Sequence, residues 1–363
     1  MSAEVICSRD ALVDFVSDIF IRNGFRTEDS RCIAEQLVIA DMRGMRSHGV
    51  VRVDMYLTQA AGGAIDRTGT PEILRETATT AVIDAHRAAG AVASELGARL
   101  AREKALENGL GMVVVRNSNH HGTCGYWGMK MAGDDVIAFV TSNTPPLMAA
   151  PASRGPVIGN NPISVVVPAN GRDMCLDISN GVMAFGKIHE YRRLNRPMPE
   201  NAWLDEKGNP TTDPFANDFL KFISLPVGMH KGFGLAVMAE MVSSVLSGGA
   251  VADEIVPKGS DTNADNETAH CFLAIHVNSF CDAAGYRSRV DRFIDYLHGA
   301  ETRSDADKIY YPGEIENIAY EKSCRIGVTI PETTRAYLCA KAAEVGLPVP
   351  DGLFAAAEER GAV

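Results

Sequence analysis

The sequence predicts an α/β protein. Short apolar runs rich in β-branched residues recur through the middle and the end of the chain. Longer segments with apolar residues at helical spacing alternate with them. Glycines and prolines mark the joins, and no apolar run approaches the length of a membrane span.

The elements follow in order. Ser8 is placed to cap a helix with Leu12, Phe15, Val16, Ile19 and Phe20 on one face, ending at Gly24. Thr27 is placed to cap a second, with Ile33, Leu37 and Ala40 inward, ending near Gly44. RSHGVVRVDMYLTQAAGG predicts a third from Ser47 to about Ala61, closed by Gly62 and Gly63. GMVVV (111–115), VIAFV (136–140), ISVVV (163–167) and MCLDI (174–178) read as buried strands. Between the first two lies NSNHHGTCGYWGMKMA (117–132), with glycine at 122, 125 and 128, expected as a helix. A long apolar helix starts near Lys231 and ends at Gly248 and Gly249. CFLAIHV (271–277) is a strand, 283–298 an amphipathic helix and RIGVTI (325–330) a last strand, before a helix ending at Glu344. The segment 251–267 is polar and punctuated by Gly and Pro, as a loop is.

With 363 residues, 46% of them hydrophobic, the chain can fill a sizeable core or two domains. A net charge of −11 repels phosphate backbones, so no nucleic-acid partner is expected. The first residues lack a basic stretch followed by an apolar one, so no secretory signal and no membrane association are read. Eight scattered cysteines without CxxC fit a reducing cytoplasm. His120 and Cys124 are four apart, but no third ligand accompanies them, so no metal site is expected.

The G-x-G-x-x-G fingerprint of a dinucleotide-binding Rossmann unit is absent. Gly122, Gly125 and Gly128 are spaced G-x-x-G-x-x-G, which either packs helix on sheet or opens a helix start to a pyrophosphate. In RSHGVVR, Ser47 as N-cap would put His48 in the first turn and Arg52 one turn on, on the same face. A guanidinium grips a carboxylate through two parallel hydrogen bonds, and an imidazole beside it can move a proton to a substrate oxygen. The plainer reading of that heptapeptide is a solvated helix start. His120 and His121 should diverge, one facing the site. Asp177, at a strand end, suits ribose hydroxyls or a helix cap. Lys231 and Gly232 open a helix where a phosphate would sit. Pro312 and Gly313 make a turn, with Glu314 exposed beside it. Together these groups suit hydride transfer between a nicotinamide and a 2-oxo acid, with protein groups holding the acid and moving one proton.

RSHGVVRVDMYL, NSNHHG, SNTPPLMAAPASRG, IGNNPISVVVP, LDIS, MAFGKI, PTTDP, LPVGMHKGFGLAVMAEMVSSVLSGGA and YYPGE occur in that order. The set resembles the malate/L-lactate dehydrogenase family of the non-Rossmann type, from about residue 8 to 345. That family also holds sulfolactate, ureidoglycolate and diketogulonate oxidoreductases and cyclic-imine carboxylate reductases. The resemblance implies a three-layer non-Rossmann NAD(P)-binding fold with a mixed sheet, plus a helical domain built from both chain ends. Residues 1–75 and 331–363 would form the helical domain, 76–121 and 281–330 a connecting α/β region at the active site, and 122–280 the NAD(P)-binding domain. It also implies a homodimer whose active site lies between domains and near the partner. His48 would be the proton donor with Ser47 as relay, Arg52 the carboxylate clamp, and His120 the acid–base group assigned in some members. Ser142, Asp177, Ile178, Ser179, Lys231, Gly232, Pro312, Gly313 and Glu314 would contact the cofactor, NAD or NADP with NAD favoured.

Several positions depart from the family pattern. Asn160 in GNNP replaces a threonine that typically touches substrate, an amide for a hydroxyl. His121 stands where an aromatic is usual, and ISNG follows Asp177 in place of a Thr/Ser run. Lys187 occupies a catalytic position where some imine reductases have an acid, and a second cation there favours a keto acid over an iminium. The expected function is an NAD(P)-dependent oxidoreductase interconverting a small, malate- or lactate-like 2-hydroxy acid and its 2-oxo acid. A cyclic-imine carboxylate reductase and a catalytically inactive nucleotide-binding relative are the alternatives.

Overall fold

A computed structural model describes residues 4–184, 186–218, 221–255 and 267–356. β1 (Glu4–Cys7) leads into α1 (Arg9–Arg22). Ser8 caps α1 by accepting the Ala11 amide at 3.2 Å, and Gly24, at φ +89°, lets the chain turn away. α2 spans Thr27–Met42. Its cap position falls on Arg26 rather than Thr27, and Asp29 in the first turn binds the Arg26 guanidinium at 2.6 Å.

The expected third helix is divided. Two single 3-10 turns, Arg46–His48 and Val50–Arg52, precede α3 (Val53–Ala61). The cause is tertiary. Asp41 of α2 lies under the loop and accepts the Val50 amide at 2.8 Å, and a Cβ at Gly49 would overlap its carboxylate.

The middle of the chain supplies β2 (Glu72–Glu76), β3 (Thr80–Asp84), α4 (Gly90–Asn108), β4 (Leu110–Ser118), α5 (Cys124–Ala132) and β5 (Val136–Ser142). Short strands β6 (Met148–Ala149) and β7 (Pro156–Ile158) precede β8 (Ile163–Val167) and β9 (Met174–Ile178). Then come α6 (Gly186–Leu194), β10 (Trp203–Leu204), β11 (Ile223–Ser224) and α7 (His230–Glu240), which continues through a π-helical turn, Met241–Val245. The chain closes with β12 (Thr268–His276), α8 (Ala283–His298), α9 (Glu314–Ile326), β13 (Val328–Pro331), α10 (Glu332–Glu344) and β14 (Ala355–Ala356). The five apolar runs of the middle are thus β4, β5, β8, β9 and β12. The last strand is shorter than expected. Arg325 and Ile326 belong to α9, which breaks at Gly327 with φ +105°, where a Cβ would press on the Cys7 carbonyl at 2.7 Å. The loop expected at 251–267 falls, from 256 to 266, outside the described residues.

Seven strands form one sheet in the order β2-β3-β4-β12-β5-β8-β9. Only β3 and β4 run parallel, joined by α4 as crossover, so the sheet is mixed. The pleat sorts the flanking layers. Val115 of β4 faces Gly97 of α4, while its neighbour Arg116 faces Gly249, which follows the π turn. Helices therefore cover both faces, as the three-layer expectation requires. A second sheet pairs β1 with both β13 and β14, which ties the chain ends to α1, α2 and α10.

Candidate active site

The site is built where the loop between α2 and α3 meets the end of β4. Ser47 organises the loop. Its Oγ lies 2.9 Å from His48 Nδ1, and its carbonyl accepts Arg52 Nε at 2.6 Å. His48 and Arg52 are thus held by one residue rather than by the turn of an α-helix, and Ser47 itself makes no cap bond. Among the described residues Arg52 Nη1 lies 3.7 Å from the Met55 sulfur. Burial pulls the guanidinium below its ordinary pKa, and a carboxylate beside it would offset that cost.

His120 arrives from β4. Its ring stacks on that of His48, with centroids 5.6 Å apart and 24° between planes. Behind it, the Tyr56 hydroxyl of α3 lies 2.7 Å from Nδ1, and the Gly122 amide donates to the same nitrogen at 3.4 Å. Tyr56 is buried, which raises its pKa, although nearby Arg52 opposes the shift. Two imidazoles and a guanidinium therefore share one wall.

The adjacent histidines diverge as expected. His121 turns into the core and stacks on His270, with centroids 4.0 Å apart and 4° between planes. His270 is wholly buried, and burial drives its pKa down to about 3, so it is neutral. Its Nδ1 lies 2.9 Å from Ser142 Oγ and its Nε2 2.9 Å from Ser118 Oγ. The pair connects the end of β4, which carries His120, to the end of β5, which carries Ser142.

Beyond Ser142 lies a second edge. Asn160 accepts the Thr144 hydroxyl at 3.0 Å, and its carbonyl takes the Asn180 amide at 2.9 Å. Asn143 and Asn161 both bind the buried carboxylate of Glu240, at 3.0 and 2.7 Å, and the Ala252 amide adds a third bond. Gly232 has its amide on the Val227 carbonyl at 2.8 Å, and no room for a Cβ, so it serves chain packing. Lys231 is exposed in the first turn of α7. Ile178 is 42% exposed, and Ser179 donates to the Gly181 carbonyl at 3.3 Å. An exposed ammonium for a phosphate, a hydroxyl for a ribose and the apolar surfaces of Ile178 and Val182 for a ring are chemistry that fits a dinucleotide.

Other expected contacts are committed inward. Asp177 is a cap, of the two roles open to it: it accepts the Gly125 amide of α5 at 2.9 Å, and burial raises it to about 6. That bond closes the start of α5, as does Thr123, which accepts the Tyr126 amide at 3.4 Å. The glycine-marked helix start is therefore not an open anion site. Gly125 and Gly128 let Asp177 and Val166 approach, each 2.7 Å from where a Cβ would stand. Gly313, at φ +88°, packs on Cys175, whose amide donates to the Pro312 carbonyl at 2.9 Å. Glu314 is buried rather than exposed. Burial raises its pKa, but Lys308, His298 and the Tyr311 amide outweigh it and hold the group below the usual range. Lys187, on α6, pairs with Glu190 at 2.9 Å beside a pocket lined by Met183 and Tyr191.

Sequence reasoning missed Tyr56, Asp41, Glu240 and His270. Only Tyr56 carried a signal, standing four residues after Arg52 in the same string.

The sequence model of malate/L-lactate dehydrogenases matches residues 7–339. The chain belongs to that family. Malate and L-lactate dehydrogenases are oxidoreductases acting on the CH–OH group of hydroxy acids, as the motifs imply. A malate dehydrogenase of Pyrococcus abyssi is 31% identical over 330 residues, 89% of this chain and 90% of the relative. The ureidoglycolate dehydrogenase (NAD(+)) of Escherichia coli is 29% identical, over 92% of this chain and 95% of its own. The solved sulfolactate dehydrogenase of Methanocaldococcus jannaschii superposes with a TM-score of 0.88 at 30% identity, over 95% of this chain and 98% of that one.

Proposed function

We propose that this member of the family interconverts a small 2-hydroxy acid and its 2-oxo acid, with NAD(P) as partner. The observation that carries the reading is the convergence of Arg52, His48 and His120 on one wall, with Ser47 binding the first two. The terminal nitrogens of Arg52 grip the substrate carboxylate as a fork. His120, backed by Tyr56, moves the proton on the reacting oxygen, and His48, held by Ser47, donates a hydrogen bond to it. The bound nicotinamide supplies or takes the hydride. Lys231, Ile178 and Ser179 would hold the cofactor at the neighbouring edge, with Ser142 at its base and the turn Pro312 to Glu314 supporting it. NAD is favoured over NADP, as the name of the ureidoglycolate relative suggests. Asn160 contacts the substrate's variable end, and Lys187 flanks it.

A second copy of the chain would cover α7. Leu235, Met238, Met241, Val245 and Leu246 are 40–58% exposed along that helix and its π turn, an apolar surface that a lone chain rarely leaves to water. Among the described residues no helix is long and apolar enough to cross a membrane, and the scattered cysteines suit the cytoplasm.

Reduced-nicotinamide absorbance, followed against a panel of 2-oxo acids and cyclic imine carboxylates, tests the reading. Oxidation of cofactor with at least one 2-oxo acid is expected. Turnover of cyclic imines alone, or cofactor binding without turnover across the panel, would replace it.

A further inference from the structure

Helix α6 and the turn after it gather positive charge in a chain whose net charge is −11. Lys187, Arg192, Arg193 and Arg196 follow closely, with Glu190 the one acid among them. Only Lys187 has a place in the proposed site. Arg192 is committed inward: its Nε donates to the Pro214 carbonyl at 2.6 Å, and its guanidinium lies over the Phe215 and Phe222 rings. Arg196 is not. The helix ends at Leu194, Asn195 turns left-handed at φ +47°, and the Arg196 amide donates back to the Tyr191 carbonyl at 3.1 Å. That closure puts Arg196 on the wall of a cavity of about 440 Å³.

Among the described residues the Arg196 guanidinium makes no hydrogen bond or ion pair, and neither does the Tyr191 hydroxyl on the same wall. Lys187 lines the cavity too. Its ammonium meets Glu190 at 2.9 Å, but the two side chains are 59% and 48% exposed, and an ion pair so open to water is worth little. An incoming anion can share that ammonium at small cost. The rest of the lining is apolar, and Val182 and Leu194 are half-open to water. A guanidinium fork, an ammonium and a phenol beside an apolar wall select an anionic group carried on an apolar stem.

We propose that this cavity is a second anion site, apart from the Arg52 clamp, in which Arg196 holds the distal carboxylate of a long-chain 2-oxo diacid. Val182 stands two residues after Asn180, whose amide holds the Asn160 carbonyl at 2.9 Å, so the cavity opens beside the residue placed at the substrate's variable end. The 2′-phosphate of NADP has the same chemistry and is the other source of the anion, since Val182 also borders the surface offered to the cofactor. With NAD the favoured cofactor, the diacid is the expected occupant. Which reactant supplies the anion rests on the proposed dehydrogenase reading, whereas the anion site itself does not.

The test is calorimetry on the full chain at fixed salt, with oxidised NAD present so that no reduction occurs. 2-Oxoadipate is compared with 2-oxohexanoate, a chain of equal length without the distal carboxylate. Arg196→Gln should weaken 2-oxoadipate roughly 10- to 100-fold, the loss of a charged hydrogen bond, and leave 2-oxohexanoate within about twofold. Arg193→Gln, which removes an exposed charge of the same helix outside the cavity, should change neither. Without cofactor, adenosine 2′,5′-bisphosphate is compared with AMP. A loss in Arg196→Gln confined to the bisphosphate would keep the anion site and replace the diacid by the cofactor's phosphate. A parent protein that prefers neither charged ligand over its match, a preference unchanged in Arg196→Gln, or an equal loss in Arg193→Gln overturns the proposal. Charge-dependent binding in a protein that reduces no 2-oxo acid would leave the site standing and remove the dehydrogenase reading instead.

Discussion

One nitrogen of Arg52 is spent on the Ser47 carbonyl, and that bond aims the rest of the guanidinium. His120 is anchored in the same manner by Tyr56. Replacing the imidazole in His120→Asn should cost roughly 10²–10⁴-fold in kcat while cofactor affinity, read by calorimetry, is kept. These residues were legible because they sit in short strings with mechanistic spacing. Asp41 and Glu240 were not. Each is a polar residue inside a helical pattern, and its partners come from other segments, so spacing carries no trace of them.

At the level of elements, helix ends written in caps and glycines, such as Ser8 and Gly24, could be read directly. α4 could not, because its buried face is made of Gly97 and alanines such as Ala98, Ala101 and Ala105, which give little apolar contrast. The 3-10 turns of the Arg46 to Arg52 loop were hidden too, since Asp41 imposes them from another helix. That carboxyl titrates at about 7 because burial raises it, against the Val50 amide and Arg46. A folded pKa above the unfolded value means the native state binds the extra proton. Stability from this group is therefore full below about pH 4 and declines as pH rises toward 7. Asp41→Asn should flatten that decline and raise Tm at pH 8, whereas Asp41→Ala, by orphaning the Val50 amide, should cost about 1–3 kcal/mol at any pH. Thermal denaturation between pH 4 and 8 measures both. Glu240 knots three segments through Asn143, Asn161 and Ala252. Glu240→Ala should destabilise by on the order of 3 kcal/mol in urea unfolding.

For the whole molecule, the interleaving of strands and helices announced the class, and the ordered motifs announced the family. The split of the sheet order, with β12 inserted between β4 and β5, had no sequence signal, because long-range pairing is set by packing. The apolar face of α7 was visible as a run of hydrophobic residues but not as an exposed one. Leu235→Asp with Met238→Lys should convert a dimer to monomer in light scattering, and a monomeric parent protein would contradict the assignment. The central claim is that the Arg52 fork grips a carboxylate beside the imidazoles while hydride crosses to the ring. Steady-state kinetics of Arg52→Lys on the best 2-oxo acid measures it most directly. The lysine keeps the charge and loses the fork, so kcat/KM should fall by at least about tenfold, the loss of one charged hydrogen bond of roughly 1.5–3 kcal/mol, with cofactor affinity unchanged. A variant as efficient as the parent protein would contradict it.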